Sequence, residues 1–124
     1  MQLSATGGNA ACNGFVDILD GGGFLFHTSG DVEVALCPLL TPAFDASAAG
    51  ASAMSTASNI EDTTAAGGTI DHAHLTTSGS VIASQMTGGV GTGEVQFSDS
   101  LVVAPDALVR VTAFTASWTV ASLT

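Results

Sequence analysis

The residues with the most chemistry to offer are three histidines, His27, His72 and His74, and two cysteines, Cys12 and Cys37. His72 and His74 stand two apart in the run Thr69 to Thr87, TIDHAHLTTSGSVIASQMT. A strand of period two turns both to one face, where two imidazoles can share a metal ion. Strict alternation keeps Ile70 with the histidines and sends Asp71, Ala73 and Leu75 to the other face. A third ligand is then missing, and His27 supplies one only where its strand meets theirs. The expectation is a polar strand face, with no metal and no cofactor assigned. A pH-sensitive contact at an interface is the other use of such histidines.

The remaining candidates point away from catalysis. Ser78 before Gly79 is turn chemistry, and no Gly-x-Ser-x-Gly elbow joins a strand to a helix. Gly21-Gly22-Gly23 follows a helical stretch and lacks a lysine, the reverse of a phosphate-binding loop. Glu61-Asp62 sits in a polar stretch without the ordered oxygen ligands of a calcium loop. Cys12 and Cys37 read as reduced, buried small hydrophobes. No catalytic residue is assigned, and the chain is expected to be non-enzymatic.

Composition narrows the partners. The 124 residues suit a single domain, 1–124, able to bury a core of its own. Only 10% are charged, and eleven carboxylates face a single arginine, for a net charge of −10. Binding to a phosphate backbone or an anionic membrane needs lysine and arginine, so neither nucleic acid nor membrane is an expected partner. No signal peptide or bilayer-length apolar run stands out, so the chain is expected to act where it is made or within a larger assembly.

The elements that must position these groups read mostly as strands. Residues 1–8 form a polar arm. Residues 9–20 form the one helix, capped by Asn9, with Cys12, Phe15, Val16 and Leu19 as its apolar stripe. Phe24 to His27 and Val32 to Cys37 make a hairpin across the turn Thr28 to Asp31. Residues 43–68 are an Ala/Ser/Gly-rich excursion, with a short strand in Met54 to Ile60. Thr69 to Thr87 is a second hairpin, and Gly88 to Gly93 a flexible link. Glu94 to Trp118 is the clearest stretch: two strands joined by Ala104-Pro105-Asp106-Ala107. Val95 and Phe97 share a face with Leu101 and Val103, while Val109, Val111 and Ala113 form one row of the last strand. Leu108, Phe114 and Trp118 occupy that strand's other row. Apolar residues on both faces suit a strand at an interface, so Leu108, Phe114, Trp118, Met1 and Leu3 are the interface candidates. The expected fold is all-β, a β-sandwich or jelly-roll-like domain with one short N-terminal helix.

The order of these elements, with Asp20-Gly21-Gly22-Gly23, Pro42-Ala43-Phe44 and Val109 to Thr115, resembles small head and decoration proteins of tailed bacteriophages, over roughly Ala10 to Trp118. That group commonly carries a basic residue near the position of His74, where this chain departs from it. The resemblance implies a virion protein on the outer capsid surface. It would be a decoration, or cement, protein that stabilises the head by bridging subunits of the major capsid protein, working as a homotrimer. The competing expectation is a tail or fibre module that contacts a host glycan. Exposed aromatics would favour the second reading.

Overall fold

The computed structural model describes residues 3–47, 51–53, 60–77, 80–97 and 100–117, with backbone alone at 51–53 and 116–117. The single helix, α1 (Ala5–Asp17), begins earlier than its apolar stripe suggests. Ser4, not Asn9, is the cap, and its hydroxyl accepts from the Gly7 N–H at 3.2 Å. Residues 5–8, read as part of an arm, are therefore helical. Cys12 and Val16 are buried as the stripe requires, and Leu19 follows them into the core from the turn after the helix. Asn9 and Asn13 instead tether the excursion, accepting from the Ser47 hydroxyl and the Ser47 N–H.

Among the described residues eleven strands follow: β1 (Gly23–His27), β2 (Glu33–Pro38), β3 (Ala51–Ala53), β4 (Glu61–Asp62), β5 (Gly68–Thr69), β6 (His72–Thr77), β7 (Ser80–Val90), β8 (Val95–Phe97), β9 (Val102–Val103), β10 (Val109–Ala113) and β11 (Thr115–Ser117). The domain is all-β apart from α1. Its main sheet has the order β2-β1-β6-β7-β8-β10-β4, and the ladders β11-β3 and β5-β9 stand beside it. The sheet curls until it is nearly closed into a barrel. Across the seam, Asp62 of β4 accepts from the Leu36 N–H of β2 at 2.9 Å, and the Cys37 thiol donates to the Val109 carbonyl at 3.4 Å. Phe24, Phe26, Leu75, Val95, Phe97, Val109 and Val111 fill the interior.

Three local departures from simple alternation shape this sheet. In β2 a bulge opposite Phe26/His27 leaves Val34 and Ala35 both buried and Leu36 exposed. An extra residue shifts the phase of everything beyond it. Gly88 to Gly93 is not a loose link: β7 runs on to Val90, and β8 pairs with its end in parallel, Gly88 opposite Val95. Parallel neighbours ordinarily need a long crossover. Here the chain coils back within four residues, with Gly91 at φ 72° and Gly93 at φ 86°. A side chain on Gly89 would strike the Thr92 carbonyl oxygen at 2.6 Å. Glu94 locks the coil by accepting from the Thr87 N–H at 2.9 Å. Third, the stretch from Glu94 onward is not one simple hairpin: β8 pairs with β10, while β9 leaves the main sheet to pair with β5. Leu101 is thereby exposed while Val103 stays buried. Of the strand expected in Met54 to Ile60, residues 54–59 lie outside the described residues; Ile60 is buried and accepts from the Val111 N–H.

Candidate functional site: a three-histidine cluster

Antiparallel pairing of β1 with β6 sets His27 directly opposite His72, and Leu25 opposite His74. The condition that the sequence left open, that the strand of His27 meet that of the other two, is fulfilled by this register. The three rings pack against one another, with centroids 4.6 Å apart for His27–His74, 5.0 Å for His72–His74 and 5.6 Å for His27–His72. One ligand nitrogen from each ring can be chosen so that all lie within 4.8 Å of one another. Along these strands Phe24, Phe26, Ala73 and Leu75 point into the core, and the histidines take the opposite face. Ile70 does not join them. The chain breaks its alternation at Asp71, and Ile70 turns into the core.

Two carboxylates flank the cluster. Asp71, expected on the far face, reaches back so that its Oδ2 lies 3.0 Å from Nδ1 of His72. It can do so because it precedes β6, and its N–H is held by the His27 carbonyl at 2.9 Å. Asp31 comes from the β1–β2 turn, where Thr28 accepts from the N–H groups of Gly30, Asp31 and Val32. That turn sets Asp31 at φ 60°, a left-handed conformation that Asp tolerates better than most side chains. Its Oδ1 lies 2.9 Å from His72 Nε2, yet out of hydrogen-bonding alignment.

The result is a cluster short of hydrogen bonds. His72 is 5% exposed, and Nδ1 of His27, Nε2 of His72 and Nδ1 of His74 are buried nitrogens with no hydrogen-bond partner. Burial, and then the neighbouring imidazoles of His27 and His72, hold His74 below its ordinary pKa; Asp31 opposes them. Neutral rings with free lone pairs are the form in which histidine binds metal.

Other sequence candidates are absorbed by the fold. Glu61 accepts two bonds from Arg110, at 2.6 and 2.9 Å, and Asp62 accepts from Leu36 and Thr64. These carboxylates line a groove of about 410 Å³ with Glu33, Leu36 and Pro38, but Glu61 is engaged within the β4–β10 ladder and Asp62 across the seam. Cys12 and Cys37 are buried thiols that form no disulfide with each other. Burial first, and then Asp62, push the Cys37 thiol up to about 12, so it is held protonated.

The interface candidates divide. Leu108 is exposed at the surface. Phe114 is half-buried, its ring packed edge-on against Phe24 at 5.1 Å and Phe44 at 5.8 Å at the rim of the core. Leu3 is half-buried just ahead of α1, while Met1 and Trp118 lie outside the described residues. Among the exposed aliphatics outside that set are Val32, Val81 and Val102. Val32 lies in the turn ahead of β2, and Val102 on β9, which pairs outside the main sheet. Comparison with protein-family models, with curated proteins and with solved structures finds no match.

Proposed function

We propose that this chain is a non-enzymatic structural protein of a bacteriophage virion, a decoration protein on the outer capsid that bridges major capsid subunits. The observation that carries the reading is the contrast between its surface aliphatics and its lack of cations. Val32, Val102, Val81 and Leu108 are exposed, while the one arginine is engaged by Glu61. Such a surface adheres through apolar contact, worth roughly 25 cal/mol per Å² buried, and not through charge neutralisation. A net charge of −10 suits the solvent side of a shell better than the face that meets DNA. Trimeric association would multiply modest contacts through effective concentration. The glycan-binding alternative gains little support, because all six phenylalanines are buried or half-buried.

Particles made without the protein test this directly. They are expected to assemble but to break at lower temperature, and added protein should restore them. Attachment should persist at salt concentrations that screen ion pairs. Density for the protein on the inner face of the shell, or its release by moderate salt, would refute the proposal.

A further inference from the structure

We infer that His27, His72 and His74 form a binding site for a divalent transition-metal ion, best matched to zinc, with Asp31 as fourth ligand. Four observations converge on it. The first is the donor set: three imidazoles and a carboxylate are an ordinary zinc combination, and imidazole also suits the neighbouring first-row ions. The second is the three buried nitrogens, one from each ring, that no hydrogen bond satisfies. Buried polar atoms nearly always find a partner, so three together mark a place where something binds.

The third observation is the carboxylate behind the ring. Asp71 Oδ2 lies 3.0 Å from His72 Nδ1, placed to accept its proton in the tautomer that leaves Nε2 free for a metal. A carboxylate behind a ligating histidine is the usual outer support of a zinc site. The fourth is Asp31, whose Oδ1 stands 2.9 Å from that same Nε2 without hydrogen-bonding alignment. Two lone pairs repel at that distance, so the contact calls for a shared proton or a metal ion beside it.

Size is compatible. Tetrahedral zinc holds nitrogen at about 2.0–2.1 Å, so neighbouring ligands lie about 3.4 Å apart. From a spread within 4.8 Å, each ring needs to close by less than about 1 Å, which small side-chain rotations supply. Charge is compatible too, since Asp31 and Asp71 together balance a dication. Four protein ligands make a closed site, structural in character. The ion would tie β1, β6 and the β1–β2 turn together. This inference stands apart from the virion reading, and either can fail alone.

The test uses the full chain, stripped with a chelator and then titrated with Zn²⁺ or Co²⁺. The expected result is one ion per chain, strong visible absorption of four-coordinate Co²⁺, and a thermal midpoint that rises with added metal. His74→Gln and His27→Gln should abolish that binding while circular dichroism of the metal-free variants stays β-rich. Asp71→Asn should weaken it by about 10–100-fold. Asp17→Asn, on the helix, is the control and should bind like the wild type. Folded wild-type protein that takes up no stoichiometric ion overturns the assignment. So does an ion retained in His74→Gln, or His72 found by NMR as an imidazolium held between Asp71 and Asp31 with no metal uptake. Should a variant fail to fold, the wild-type titration alone decides.

Discussion

Strands β1 and β6 carry two chemistries back to back. On one face Phe24, Phe26, Ala73 and Leu75 meet only apolar neighbours, and Phe26 stacks edge-on against Phe97 at 5.2 Å. On the other, His27, His72 and His74 meet one another and two carboxylates. The backbone and the register are shared; the demands differ. The inner face gains free energy from every methylene that it buries. The outer face buries nitrogens that it leaves without partners. The first face holds the domain together, and the second is tolerable only because the ladder beneath it is stable. A site assembled on a rigid pair of strands keeps its geometry whether or not it is filled.

The largest effect should come from the inner face. Phe26→Ala empties the space beside Phe97 and should cost about 3–5 kcal/mol in denaturant unfolding. A loss near zero would mean that the barrel does not rest on this ring. The second effect concerns how dry that interior is. Cys37 lies opposite Phe24 in the ladder, with its thiol pushed up to about 12 from 9.0. Its folded pKa is raised, so its contribution is complete below pH 9 and is lost as pH climbs toward 12. The loss approaches at most about 1.4 kcal/mol per pH unit. Unfolding of wild type and Cys37→Ala over that range should show a slope that the variant lacks. Native Cys37 should also resist alkylation near neutral pH; fast alkylation of folded protein would place water in the core. The smallest effect belongs to the outer face. In metal-free protein His74→Gln should change stability by less than about 1 kcal/mol in either direction. A cost matching that of Phe26→Ala would erase the distinction between the faces.

How much of this was legible in the sequence depends on the range of the forces involved. The hairpin of β6 with the first part of β7, the alternation of Phe24 and Phe26, and the shared face of His72 and His74 are local, and period two reveals them. The arrival of His27 opposite His72 is not local. It follows from β1 pairing with β6 across the excursion, a choice made by the whole barrel. The exposure of Leu36 rests on one extra residue in β2, and a bulge leaves no sign in composition. Asp71 misled for a related reason: alternation applies within a strand, and Asp71 stands just before one. The sequence of Gly88 to Gly93 does not separate a loose link from a tight coil, because glycine permits looseness and tightness alike. Only the close approach of Gly89 to Thr92 separates them.

The seam between β2 and β4 has a consequence for how the molecule lives among copies of itself. A sheet that stops short of closure usually offers an unpaired edge, and such edges recruit foreign strands. Here the Leu36 amide is already occupied by the side chain of Asp62, so the margin carries a fixed negative charge where a ladder would otherwise continue. A strand arriving from another molecule would have to displace that carboxylate and bury its charge. The seam therefore works as a guard against fibrous aggregation, and it leaves the barrel free to be crowded without being templated.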